Sequence, residues 1–287
     1  MKIGATVAYS HYTSVDYIAE SARYLEDMGF HSIWVPEHVM FFPDYVSEYP
    51  YTEQGKIPGD PEGVLDPFTA LTFVAAHTKT LRLGTGICLV PQRQPVYTAK
   101  MVADLDYLSG GRVDFGVGIG WLKEEFENLQ VPWAGRGKRC VEYLEVMQTL
   151  WQPEPTRYQG EEYTLEPCFF NPKPVQTPHP PIFFGGESEP ALKRVASHGQ
   201  GWYGYDMDPA TVVERLNRLD QLLAEEERSR AEIAVYVGPN KHPVTPETVA
   251  AYADAGVQQL NVGVGGRDLD GFRRRAEKMA KICGLVD

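Results

Sequence analysis

Glu37 and His38 are the residues best suited to chemistry in this chain. They follow a strand-like apolar run, His31-Ser32-Ile33-Trp34-Val35, and Pro36 ends that run just before them. Histidine exchanges protons near neutral pH, and a carboxylate beside it can fix its tautomer or raise its pKa. The pair therefore reads as an acid-base site, with His38 moving the proton and Glu37 orienting it. A structural histidine bonded to backbone accounts for the same residues. His11 and His198 have weaker cases, and His31, His77, His179 and His242 are scattered. No HxxxH or HxH spacing links them, and Cys88, Cys140, Cys168 and Cys283 contain no CxxC pair, so no metal is expected.

Glycine-rich runs end two further strand-like segments, Gly84-Thr85-Gly86-Ile87 and Gly116-Val117-Gly118-Ile119-Gly120-Trp121. Without side chains, backbone can approach a flat ring closely. Tight turns explain either run alone. The second run lacks GxGxxG spacing, which argues against a dinucleotide fold. Gly185-Gly186-Glu187-Ser188 leads from a strand into a helix, where exposed amides, a hydroxyl and the positive helix end suit a phosphate. Glu187 and Glu189 oppose an anion there unless they turn outward, and helix capping by Ser188 is the plain alternative. Gly263-Val264-Gly265-Gly266-Arg267 is a second phosphate-loop candidate.

Arg136, Lys138 and Arg139 crowd a helix start, where positive charge opposes the macrodipole. They form a solvated cluster or hold a long anionic cofactor tail. Met40, Phe41, Phe42, Tyr45, Tyr49 and Tyr51 concentrate in one loop, which reads as a lid, a substrate wall or a dimer contact.

These segments need a scaffold that gathers strand ends. Helical periodicity begins after Thr13, with Thr13 and Asp16 as a capping box, and Val15, Ile18, Ala19, Ala22 and Leu25 on one face. Asp66-Pro67 and Thr245-Pro246 start helices, while Ser109-Gly110-Gly111 ends one. Strand and helix patterns alternate eight times, interrupted by a proline-rich excursion over residues 152–181. The fold class is α/β, a (β/α)8 TIM barrel of 287 residues forming a single domain over 1–287, with an insertion before strand five. An open doubly wound sheet is the alternative. Either fold places function beyond the carboxyl ends of the strands. The 27 basic and 39 acidic residues give a net charge of −12, which disfavours nucleic acid and anionic membrane as partners. No secretory signal pattern or bilayer-length apolar run is seen, so a cytoplasmic location is expected.

Several stretches together resemble the luciferase-like monooxygenases, most closely the class using the deazaflavin coenzyme F420. They are Trp34-Val35-Pro36-Glu37-His38, Gly84-Thr85-Gly86-Ile87, Ala103-Asp104-Leu105-Asp106 through Gly118, Asn171-Pro172-Lys173-Pro174-Val175-Gln176, and Gly185-Gly186 followed by Ser188. The resemblance implies a ring cofactor over the barrel mouth, held by Thr85, Gly86, Ile87, Gly118, Ile119, Gly120, Gly185, Gly186 and Ser188. It also implies a cis peptide at Gly86-Ile87 and contact of Glu37 and His38 with ring or substrate. The implied reaction is hydride transfer between F420 and a small organic substrate. FMN-dependent monooxygenation, fed by a partner flavin reductase, is the alternative, and a non-catalytic flavin-binding barrel is a third reading. Ile119 stands where bacterial luciferase has an arginine for the flavin phosphate, which favours deazaflavin. Trp121 replaces the acid of sugar-phosphate dehydrogenases, which argues against a sugar phosphate. A homodimer is implied as well.

Overall fold

The computed structural model describes residues 1–58, 62–153 and 155–287. The chain begins with β1 (Lys2–Thr6), α1 (Val15–Asp27), β2 (Ser32–Val35), α2 (Pro67–His77), β3 (Arg82–Thr85), β4 (Cys88–Leu89) and α3 (Pro95–Ser109). It continues through β5 (Val113–Gly118), α4 (Lys123–Asn128), α5 (Arg136–Trp151) and a hairpin of β6 (Thr156–Gln159) and β7 (Thr164–Cys168). The remainder is β8 (Ile182–Gly185), α6 (Glu189–His198), β9 (Gly201–Tyr205), α7 (Pro209–Glu225), β10 (Ala234–Gly238), α8 (Pro246–Asp254), β11 (Gln259–Gly263) and α9 (Leu269–Ile282).

The main sheet closes on itself. β1 pairs with β2 and with β11, and β3 meets β5 at Leu83–Val113, so the first and last staves are neighbours. Every pairing in this sheet is parallel, and β4 continues the third stave after a bulge. This is the expected eight-staved (β/α)8 barrel, not the open sheet. Its helix starts largely follow the sequence signals: Asp66, Asp208 and Thr245 each cap a helix with Pro at its first turn. The first helix corrects one expectation. Its cap is Ser14, which accepts from Tyr17 N–H, while Thr13 bonds back to Ser10.

Aromatic bulk plugs the barrel interior. Trp34, Phe183, Tyr203 and Tyr236 form an inner cluster, with Phe183 and Tyr236 stacked at 4.4 Å and Trp34 edge-on to Phe183 at 5.6 Å. Nearby, Gln259 Nε2 donates to Ser32 Oγ at 2.8 Å and Asn261 Oδ1 at 2.7 Å. A plugged barrel offers ligands its ends, not a channel.

The excursion before the fifth stave is an antiparallel hairpin followed by two cis prolines, Pro172 and Pro178. Buried Asp106 of α3 ties this segment down by accepting from Val175 N, Gln176 N and Gln176 Nε2 at 2.7–2.9 Å. The Asn171–Gln176 stretch therefore builds the scaffold at the strand starts, away from the mouth. Among the described residues, no helix is long and apolar enough to cross a membrane.

Candidate functional site at the barrel mouth

Just past the end of β2, His38 Nδ1 lies 3.1 Å from Glu125 Oε2. Glu125 sits in the first turn of α4, and its side chain is wholly buried while that of His38 is 13% exposed. The other carboxylate oxygen accepts from Val39 N–H at 2.6 Å and Met40 N–H at 3.2 Å, and Gln92 Nε2 donates to Oε2 at 3.1 Å. Burial alone would raise the Glu125 carboxyl. The hydrogen bonds from His38, Gln92 and Met40 outweigh that effect and hold its pKa below the ordinary value. An ionised carboxylate only accepts, so Nδ1 carries the hydrogen and Nε2 is left as a lone pair. Nε2 has no hydrogen-bond partner among the described residues.

Glu37 does something else, and its expected partnership with His38 is corrected. Consecutive residues at a strand end point to opposite sides, so the two side chains diverge. Glu37 is buried in the wall, accepts from Leu89 N–H at 2.6 Å, and pairs with Arg93, which also reaches Asp66. It pins the turn that follows the bulged third stave. The residue that replaces it was readable in principle: Leu122, Glu125 and Phe126 share one helical face, and an acid on a buried face requires partners.

The predicted glycine positions converge on Ile87. The Gly86-Ile87 peptide is cis and forms the bulge between β3 and β4. A Cβ on Gly118 would overlap Ile87 Cδ1, and one on Gly185 would lie 2.8 Å from the same atom. The clearance expected for a flat ring is thus taken at these two positions by Ile87, which lays an apolar floor across the ends of β5 and β8. Thr85 is buried and donates its hydroxyl to Gly116 O at 2.6 Å, so it locks β3 to β5. Ile119 packs on the core, and Gly120 makes the left-handed turn above Phe126.

At the end of β8 the two acids part. Glu189 turns outward to Arg218, whereas Glu187 turns inward, accepting from Tyr205 N–H at 2.7 Å and Tyr51 OH at 3.2 Å. Burial, with help from the nearby Asp206 charge, pushes the Glu187 carboxyl up to about 7. Ser188 flanks α6 but makes no capping hydrogen bond with its hydroxyl, which leaves that group exposed beside Gly186. The second phosphate-loop candidate is packed at one glycine, where a Cβ at Gly266 would strike Phe272 N and Asp268 caps α9, while Gly263 and Gly265 face open space.

The aromatic loop after β2 forms a wall of the mouth. His38 packs between Phe41 at 4.7 Å and Trp121 at 5.8 Å, Tyr49 meets Trp121 at 5.2 Å, and Tyr51 meets Tyr205 at 4.9 Å. Adjacent acids of α4 hold the loop down. Glu125 takes residues 39 and 40, and Glu124 takes Val46 N–H at 2.6 Å, Ser47 N–H at 3.1 Å and Ser47 OH at 2.6 Å.

Comparison with known proteins places this architecture. The luciferase-like monooxygenase profile matches residues 1–279. The chain belongs to the luciferase-like monooxygenase family. An uncharacterized Mycobacterium tuberculosis protein, Rv0953c, is 33% identical over 264 residues, spanning 91% of this chain and 92% of its own. The coenzyme F420 dependent tetrahydromethanopterin reductase from Methanopyrus kandleri superposes with a TM-score of 0.77 at 18% identity, covering 98% of this chain and 97% of that one. A Pseudomonas putida FMNH(2)-dependent dimethylsulfone monooxygenase is 35% identical over 131 residues, 45% of this chain and 36% of its own. The proteins this chain is similar to thus include, by fold, one named for coenzyme F420 and, by sequence over part of its length, one named for FMNH(2).

In this luciferase-like barrel, the mouth brings together His38, Gly86, Ile87, Gly118 and Gly185, with Gly186 and Ser188 at the rim. Sequence reasoning missed Glu125 and Gln92. The cation cluster is also corrected: Arg139 is buried and bonded to the carbonyls of Pro91, Ala134 and Pro132, so it serves the fold. Arg136 instead lies over the Trp133 ring at 3.6 Å with Nε 3.4 Å from Gly120 O.

Proposed function

We propose that this chain is a hydride-transfer oxidoreductase using coenzyme F420, in which His38 exchanges the substrate proton. The observation that carries this reading is the buried Glu125 carboxylate on His38 Nδ1, which leaves Nε2 as a proton acceptor without a hydrogen-bond partner among the described residues. The mouth suits a flat ring with an acidic tail. Ile87 supplies an apolar floor, Trp121 an aromatic wall, the exposed hydroxyl and amides near Ser188 a phosphate seat, and Arg136 a cation close to the β5 turn. When bound, F420 supplies a two-electron hydride carrier.

The residues of the chain perform the rest. Nε2 takes the proton from a substrate hydroxyl during oxidation and returns it during reduction, and Glu125 stabilises the imidazolium that exists between those events. Positioned proton transfer of this kind contributes roughly 10²–10⁴ in rate. The aromatic loop limits water at His38, so the substrate is small and largely apolar beside its one exchanging hydroxyl or carbonyl.

A second reading, FMN-dependent monooxygenation with reduced flavin from a partner reductase, is favoured by the dimethylsulfone monooxygenase relative. Titration of the purified protein with F420 and FMN, each oxidised and reduced, separates the two. Tighter binding of F420 by tenfold or more, with alcohol-dependent F420 reduction and no oxygen uptake, is expected. Binding of FMN alone with substrate-dependent oxygen uptake would overturn the deazaflavin assignment.

A further inference from the structure

Gln92 is tied to the His38–Glu125 pair by one hydrogen bond. Its Nε2 donates at 3.1 Å to Glu125 Oε2, the oxygen that also meets His38 Nδ1 at 3.1 Å. Oε1 of the same amide is buried and meets no donor among the described residues. An ionised carboxylate accepts only, so the NH2 end of Gln92 must face it. The amide is thus held for its donor while its acceptor goes without a partner, and a buried carbonyl in that state is destabilising. An apolar side chain of the same size would avoid the penalty, so packing alone does not account for Gln92.

The backbone around Gln92 is clamped on both sides. Gln92 closes a short 3-10 turn, Val90–Gln92, that follows β4. Glu37 accepts from Leu89 N–H ahead of this turn and pairs with Arg93 behind it, and Arg139 Nε donates to Pro91 O within it at 3.3 Å. Gly120 passes beside the amide, where a Cβ would lie 3.6 Å from Nε2. The wall residues Glu37, Arg93 and Arg139 therefore fix the turn from which Gln92 reaches Glu125.

We propose that Gln92 is a positioning residue that keeps Glu125 ionised, so that the hydrogen on His38 Nδ1 stays there when Nε2 takes a proton. Two donors share Oε2, and each lowers the affinity of that oxygen for a proton. Once a substrate hydroxyl has given its proton to Nε2, the imidazole carries two hydrogens and a positive charge. Without the second donor, the Nδ1 hydrogen passes to Oε2 and leaves a neutral carboxyl beside a neutral imidazole, whose Nε2–H is a poor acid. With it, the ion pair persists and Nε2 can return the proton to a carbonyl. The ionisation of Glu125 agrees: burial raises its pKa, and the bonds from His38, Gln92 and Met40 more than offset that. His38 and Met40 face this carboxylate from the loop after β2 and Gln92 faces it from the third stave, and of these only His38 titrates. This inference rests on the acid-base reading of His38 and names the group that holds its partner in the working state.

The test compares wild-type protein with Gln92→Met and Gln92→Leu, which remove the donor with two different shapes, and with Gln92→Lys, which restores one. Carbon NMR of the labelled Glu125 carboxyl follows its titration in the free protein, where no cofactor is needed. In Gln92→Met and Gln92→Leu the pH at which Glu125 takes up its proton should rise by about one unit, and Gln92→Lys should reverse the rise. The melting temperature should change by less than about 2 °C, since the partnerless carbonyl is lost together with the donor. Turnover should fall roughly tenfold, with the acid limb of its pH profile displaced upward by the same amount as the carboxyl titration. A carboxyl titration and acid limb that stay in place while the melting temperature falls would make Gln92 a structural residue and overturn the proposal. A displaced carboxyl titration in a protein that turns over nothing with F420 would instead reject the deazaflavin reading and leave the role of Gln92 supported.

Discussion

His38 Nδ1 and Glu125 Oε2 stand 3.1 Å apart although 87 residues separate them along the chain. That contact joins the end of β2 to the first turn of α4 and fixes which imidazole nitrogen faces the mouth. It also makes the loop after β2 and the histidine parts of one hydrogen-bonded unit, because the same carboxylate holds Val39 and Met40.

Glu125→Gln should lower kcat by roughly 10²–10³ with cofactor affinity changed less than threefold. Its amide oxygen can still hold Val39 and Met40, but an amide NH2 toward Nδ1 forces the hydrogen onto Nε2. Nitrogen NMR of labelled His38 reads the tautomer directly. An unchanged tautomer and unchanged turnover would exclude the positioning role.

Glu37→Gln should behave differently. Breaking a buried ion pair leaves Arg93 short of charge, at a cost of about 3 kcal/mol and a fall in Tm of roughly 5–10 °C. Turnover per folded molecule should change less than it does in Glu125→Gln. Calorimetry beside steady-state kinetics separates these outcomes.

Gly118→Ala should be destabilising by about 1–3 kcal/mol, because the added methyl competes with Ile87 for one volume. Adding Ile87→Ala should recover part of that loss. A double-mutant cycle in denaturant gives the coupling, and strict additivity would mean that the two side chains do not share the space.

The pH dependence of stability has two opposed parts. Glu187, raised to about 7 from an ordinary value of 4.5, binds its proton more tightly in the folded state. Its contribution is complete below about 4.5 and is lost as pH rises through about 7. Glu124, lowered to about 2 by Ser47 and the backbone N–H groups of residues 46 and 47 against the opposing effect of burial, contributes above 4.5 and loses that contribution as pH falls toward 2. Glu187→Gln should therefore flatten the decline in Tm between pH 5 and 8 and leave the acid limb unchanged. A decline of the same slope in the variant would refute the assignment.

The sequence by itself determined the barrel and which strand ends meet at its mouth. Local signals sufficed: Asp or Thr before Pro starts helices, Gly110 stops α3 in a left-handed turn, and alternating strand and helix periods leave few ways to bury both faces. The strand ends at His38, Gly86, Gly118 and Gly185 followed from that alternation. Pairings across the mouth did not follow. Sequence neighbours Glu37 and His38 suggested a partnership that strand geometry forbids, and the carboxylate that holds His38 arrives from α4 after the fourth stave, β5, pairs with the third. Likewise, Ile87 fills the glycine clearances only because β5 and β8 are adjacent. Local sequence fixes backbone conformation, but which side chains share a volume or a charge is decided by contacts between segments distant in the chain.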